Sequence, residues 1–300
     1  MLKSKFKREA IESLTTEQGE VLTERKDILA ETQRDMIVAF WRDSRLTVKT
    51  LKGVIKLIPK KDDKSRLRDW LPISLLGITY KIISKLLAER LKPMLPGLVN
   101  DQQIGFVPGR SIFDVILVVK LGQEWAQTTG QKRIFLKLDF VKAYDRVNHN
   151  YVWRVLDTMG FGSQFITLLK GLVENATSVV HLNGAFTRDV QLERGVRQGC
   201  PIAPMLFTLS TQPLMELLRS EQIKGHLHGL EARNGRQVLD ALFADDTGLM
   251  LHADAENWKR ATEVIQKFEV MSGARLNVSK SLAVPIGFTE PPGVAEKVGL

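Results

Sequence analysis

The residues best placed to do chemistry lie in LFADDTGLML, Leu242 to Leu251, where Asp245 and Asp246 sit side by side. Two short apolar runs, Ala241 to Ala244 and Gly248 to Leu251, flank them. Runs of that length around a polar break read as the strands of a hairpin, with the acids at its turn. Like charges so close repel each other and lose hydration. A divalent cation offsets both costs, and hard carboxylate oxygens suit Mg²⁺. Neighbouring strand residues face opposite ways, so both acids aim at one ion only if the turn rotates one of them. An ordinary polar turn has the same look, because Asp is a frequent turn residue.

A third acid, Asp139, ends the apolar run IFLKLDF from Ile134 to Phe140, which reads as a buried strand. A strand end holds a side chain rigidly, which suits catalysis. A helix-capping Asp fits the same place. Further on, RGVRQGCPIAPMLF carries Gly195, Gly199, Pro201 and Pro204, a loop that enters a helix with Pro204 in its first turn. Such a loop lets a ligand approach backbone closely. It is not a Walker loop, since no GKS or GKT follows.

These groups need a scaffold, and the chain can supply one. Its 300 residues are 44% hydrophobic, enough for one large domain or two lobes. The net charge of +9 favours a polyanionic partner such as nucleic acid. Most of the excess lies between Arg42 and Arg68, with ten basic residues against three acidic ones. Basic runs are also common on plain solvated faces. The single cysteine, Cys200, excludes an internal disulfide and a cysteine-based zinc site. No apolar run approaches the roughly 18 residues of a membrane span, and the N-terminus lacks a signal peptide's apolar core. The expectation is a soluble intracellular protein, nuclear and/or cytoplasmic, with no membrane partner.

In chain order, residues 1–40 read as an N-terminal helical segment. Val54 to Ile58 is a strand ended by Pro59, and Lys60 to Asp69 is a basic loop or hairpin tip. Helices follow over Ile78 to Leu95 and from Ile112. After the Asp139 strand, Val152, Val155, Leu156 and Met159 mark a helix. Thr177 to Val190 is a hairpin around Asn183-Gly184, and Asn234-Gly235 suggests another. A helix from Trp258 stops at Gly273, and a last strand, Arg275 to Val284, carries Lys280. Mixed strands with helices on one face make an α+β layer that can bring Asp139 and Asp245 together.

FLKLDFVKAYDRV, RGVRQGCPIAPMLF, LFADD and SGARLNVSKS, in this order and spacing, resemble the reverse transcriptases of non-LTR (LINE-type) retrotransposons. WLPISLLGITYKIISKLLAERL and QIGFVPGRS resemble the preceding segments of the same family, so the likeness covers roughly residues 40–285. It implies the palm and fingers of a right-hand polymerase, an antiparallel sheet backed by helices, with the thumb largely absent. The reverse transcriptase domain would span residues 41–300. Its fingers would be about 41–125 and 176–195, its palm the remainder, with the start of a thumb at the C-terminal end.

The activity implied is RNA-directed DNA polymerisation on an RNA template and a DNA primer, using deoxynucleoside triphosphates. Two metal ions about 4 Å apart would activate the primer hydroxyl and stabilise the leaving pyrophosphate. Asp139, Asp245 and Asp246 would hold two Mg²⁺ ions, with Mn²⁺ as the alternative. Tyr144 matches the ring that excludes a ribose 2′-hydroxyl, although a core aromatic is its other reading. Arg197, Gln198 and Gly199 match the pocket for the incoming nucleotide. Lys60, Lys61, Arg66 and Arg68 are candidates for triphosphate and template contacts, Arg110 for a template contact, and Lys280 for a proton donor to pyrophosphate. Asp145 and Asp114 read as structural.

Four departures from the family pattern stand out. Leu71 occupies the place of an Arg, Ala203 that of a Ser, a KAPGPDG-like segment is missing upstream, and the chain ends soon after Lys280. They support a fragment or decayed copy that grips primer and template weakly. The reading from another class is a truncated, non-catalytic nucleic-acid-binding remnant.

Overall fold

The computed structural model describes residues 13–16, 18–60, 62, 65–66, 69–233, 235, 237–243 and 246–288. Its first half contains α1 (Arg25–Asp43), β1 (Gly53–Pro59), β2 (Trp70–Leu75), α2 (Ile78–Leu91), α3 (Ile112–Thr128) and β3 (Arg133–Leu138). The second half adds α4 (His149–Thr158), α5 (Ser163–Val173), β4 (Thr177–Leu182), α6 (Ala203–Ile223), β5 (Asp240–Phe243), β6 (Asp246–His252), α7 (Ala255–Ser272) and β7 (Leu282–Ile286).

Two sheets organise these elements. The first is wholly antiparallel, in the order β5-β6-β3-β7. Its central strand β3 is the apolar run already noted, with Ile134, Leu136 and Leu138 buried on one face. In the second sheet β1 lies between β2, which runs antiparallel to it, and β4, which runs parallel. A parallel pair needs a long crossover, and here the crossover contains β3 and several helices. Asn183 (φ 49°) and Gly184 (φ 81°) turn β4 back onto Ala185–Phe186, as an Asn-Gly pair does in a tight hairpin. Helix α6 packs against α4 and α7 and buries residues almost all round, among them Leu206, Leu209 and Leu214. An α+β fold was expected and is found.

Three local expectations need correction. Of residues 1–40, positions 1–12 and 17 lie outside the described residues; among the rest the helical reading holds for α1, while Leu14–Thr15 and Val21–Leu22 pair as a short antiparallel ladder. Gly19, at φ +84°, and the Thr16 side chain, which accepts from the Glu20 N–H at 3.2 Å, close that turn. Strand β2 was unforeseen, because Pro72 lies within it. It is an edge strand, where a missing N–H is tolerated. The last strand begins at Leu282, and Lys280 lies before it in a turn whose N–H donates to the Asn277 carbonyl at 3.1 Å. No described helix is long and apolar enough to cross a membrane.

Candidate functional site

Strand β3 delivers Asp139 at its end, and the register shows what it meets there. Leu138 pairs with Thr247, so the next antiparallel position sets Asp246, the first residue of β6, level with Asp139. Asp246 is described by its backbone alone, and Asp245 lies outside the described residues. The Asp139 N–H donates to Ser281 Oγ at 3.1 Å, and its Oδ2 accepts from Asn277 Nδ2 at 2.8 Å. Its other carboxylate oxygen accepts no hydrogen bond among the described residues, and an oxygen of this kind is what a hard cation takes. Among the described residues no three metal-ligating side chains form a cluster.

Asp139 opens onto a cleft of about 800 Å³ that gathers residues from distant parts of the chain. Lys60, Arg66, Tyr144, Gln198 and Lys280 line it with Asp139, and Leu71 shares the wall. The Tyr144 ring is fixed by stacking on Phe207, with centroids 4.5 Å apart and planes 17° from parallel. Sequence reasoning missed Lys142, Asn277 and Ser279, which also line the cleft, although Asn277 and Ser279 stand inside SGARLNVSKS. Lys142 adopts a left-handed backbone (φ 45°, ψ 54°), uncommon for a residue with a side chain.

Asp145, read as structural from sequence, lines the same cleft and an adjoining cavity of about 350 Å³. Its carboxylate makes no hydrogen bond among the described residues. Burial raises it above the usual aspartate range, while the charges of Lys142 and Lys60 pull it partly back. Asp114 does the structural work expected of it. It accepts from the Ser111 N–H at 2.9 Å and completes a capping box at the start of α3.

The loop carrying Gln198 is tied on two sides. Gly195 N–H donates to the Val147 carbonyl at 2.7 Å and Val196 N–H to the Tyr144 carbonyl at 2.8 Å. Gly195 has φ +83°, and a side-chain carbon there would collide with the Asp145 backbone. On the other side, Ser74 N–H of β2 donates to the Gln198 carbonyl at 3.0 Å. Gly199 is not among the residues lining the cleft, and a side-chain carbon there would lie 2.7 Å from the Ser74 carbonyl oxygen.

Two arginines read as substrate contacts are engaged elsewhere. Arg110 donates to the carbonyls of Asn100 at 2.6 Å and Gln103 at 2.5 Å, pinning its own loop. Arg197 is buried and donates to the carbonyls of Leu51 and Leu172. Neither lines the cleft. Lys61 and Arg68 lie outside the described residues.

Comparisons with known proteins bear on the family and the fold. Residues 58–289 match the family described as Reverse transcriptase (RNA-dependent DNA polymerase). The chain is 35% identical over 255 residues to the transposon TX1 uncharacterized 149 kDa protein of Xenopus laevis, covering 85% of this chain and 19% of that protein. It is 25% identical over 234 residues to the retrovirus-related Pol polyprotein of the type-1 retrotransposable element R2 from Popillia japonica, covering 77% of this chain and 31% of that one. The chain thus spans less than a third of the length of either relative. Among solved structures, telomerase from Candida tropicalis, in complex with a TWJ fragment of telomeric RNA, superposes with a TM-score of 0.57 at 15% identity. That match covers 91% of this chain and 47% of the telomerase chain. Telomerase from Candida albicans gives 0.56 at 14% identity, over 91% of this chain and 48% of that one. At such identity the likeness is one of fold, that of a right-hand polymerase.

Proposed function

The chain belongs to the reverse transcriptase family, and from that premise we propose that it adds deoxynucleotides to a DNA primer 3′-hydroxyl on an RNA template, as the polymerase domain of a LINE-type retroelement. The observation that carries this reading is the cleft. It places an acid at a strand end beside cations, an aromatic ring and an amide from distant segments. Phosphoryl transfer asks for in-line positioning and charge neutralisation more than for covalent help, and those are the groups present.

Asp139, Asp245 and Asp246 would hold two Mg²⁺ ions, or Mn²⁺. Bound there, the ions would supply charge stabilisation at the attacking and leaving oxygens. Lys60 and Arg66, in the segment between β1 and β2, neutralise the triphosphate, and Lys280 hands a proton to pyrophosphate. Tyr144, held flat against Phe207, carries the sugar of the incoming nucleotide on its ring and excludes a 2′-hydroxyl. Gln198 contacts base and sugar. Leu71 gives the template an apolar surface where the family has a guanidinium. On this reading the β2-β1-β4 sheet is the fingers, and the β5-β6-β3-β7 sheet with α4, α6 and α7 is the palm.

The test supplies one deoxynucleotide at a time to the purified chain with Mg²⁺, a DNA primer and an RNA template. Addition of the complementary nucleotide alone is expected. Binding of the primer–template without any addition would identify a non-catalytic remnant instead.

A further inference from the structure

The guanidinium of Arg197 is inside the protein, its residue only 9% exposed, and its contacts are two carbonyls and an aromatic face. Nη1 donates to the Leu51 carbonyl at 2.6 Å, Nη2 to the Leu172 carbonyl at 3.3 Å, and the group lies 4.2 Å over the Tyr80 ring. Burying a cation is costly unless its donors are satisfied. An apolar side chain would avoid that cost, but it could not join the two carbonyls, which the planar guanidinium fork does.

Those elements matter to the cleft. Leu51 stands just before β1, the strand that leads to Lys60, and Leu172 lies in the last turn of α5. The next loop residue, Gln198, receives the Ser74 N–H of β2 at its carbonyl. Gly199 then approaches so closely that a side-chain carbon there would lie 2.7 Å from the Ser74 carbonyl oxygen. Gln198 is thus bracketed by one anchor at the start of the β1–β2 hairpin and another on its second strand.

We propose that Arg197 is a positioning residue for the incoming nucleotide. It couples the Gln198 loop to the β1–β2 hairpin, so that the amide meeting base and sugar keeps a fixed spacing from Lys60 and Arg66, which meet the triphosphate. This rests on the polymerase reading above. Arg197 is absent from the cleft wall, so it acts through Gln198 and touches no nucleotide.

The test uses Arg197→Met, which keeps the stem without the charge, and Arg197→Lys, which keeps the charge without the fork. Losing charge-assisted bonds of this kind should raise the KM for the deoxynucleotide about tenfold in the Met variant, with kcat within about threefold of wild type. Lys should recover only part of that loss, because its ammonium lacks the fixed fork that donates to both carbonyls at once. Adding Gln198→Ala to Arg197→Met should cost less than the sum of the two, as coupled residues do. A second readout does not depend on turnover: amide hydrogen exchange at Ser74 should quicken in the Met variant while Leu136 and Leu249 stay protected. An unchanged KM with only a lowered melting temperature would make Arg197 a core filler and overturn the proposal. Unchanged exchange at Ser74 would overturn it as well. If wild type adds no nucleotide, the polymerase reading falls, and exchange at Ser74 still decides whether the coupling exists.

Discussion

Asn277 grips Asp139 twice, from 138 residues further along the chain. Its side-chain Nδ2 donates to Oδ2 of the carboxylate at 2.8 Å, and its backbone N–H donates to the Asp139 carbonyl at 2.7 Å. The turn before β7 therefore sets the direction of the acid at the end of β3. Groups that orient a metal-binding carboxylate typically matter by about 10- to 100-fold. Asn277→Ala should lower single-nucleotide incorporation by about that factor and raise the Mg²⁺ concentration needed for half-maximal rate. A Mg²⁺ titration of the two proteins checks both, and superimposable curves would remove Asn277 from the site.

At Gly199 the backbone conformation and the lack of space can be separated. Gly199 has φ +100° and no room for a side-chain carbon, whereas Gly160 has φ +82° with open space around it. Gly160→Ala should cost about 1 kcal/mol, the conformational penalty alone. Gly199→Ala should cost about 2–4 kcal/mol, since a backbone collision is added. Urea denaturation of both variants measures the difference, and equal costs would mean that the loop has slack against β2.

The stacked Tyr144 ring predicts a selectivity effect. Tyr144→Phe preserves the face against Phe207 and should leave the preference for deoxynucleotides over ribonucleotides within about threefold of wild type. Tyr144→Ala opens the space beneath the sugar and should erode that preference by about 10-fold or more. The ratio of kcat/KM values for the two nucleotides is the measurement. An unchanged ratio in Tyr144→Ala would return the ring to a purely packing role.

Asp145 should show its unpaired burial as a pH effect. Its folded-state value is raised above that of the unfolded chain, chiefly by desolvation. The folded state therefore holds the proton more tightly, and stability falls as pH rises from the ordinary aspartate range through the raised value. Above that window the penalty is complete, and below it the penalty is absent. Asp145→Asn does not titrate, so it should melt higher than wild type at neutral pH, with the gain fading toward pH 4. A gain independent of pH would locate the effect elsewhere.

Much of this architecture was legible because its signals are local. Asn183-Gly184 announced its hairpin through backbone preference, and IFLKL announced β3 through unbroken apolarity. That β3 and the acidic hairpin could share a layer was legible, but the register that levels Asp246 with Asp139, and puts Asp246 in β6 rather than in the turn, was not. What escaped depended on distance or direction. Arg110 and Arg197 have the charge of phosphate ligands, yet both turn inward to satisfy carbonyls, and sequence does not reveal which way a guanidinium faces. Asp145 follows a catalytic-type segment and reads as structural until the fold exposes it to the cleft. Strand β2 was hidden by Pro72, which an edge strand accepts. The ladder at Leu14–Thr15 and Val21–Leu22 is too short for any period to register.

The central claim is that Asp139 and Asp246, whose backbones stand level at the ends of β3 and β6, act together in nucleotide addition at this cleft. It is tested most directly by deoxynucleotide incorporation on an RNA-templated primer in Mg²⁺, comparing wild type with Asp139→Asn and Asp246→Asn at matched folding. Incorporation by wild type, with loss to background in both variants and primer–template binding retained, is the predicted result. Incorporation at the wild-type rate by Asp139→Asn would contradict the account.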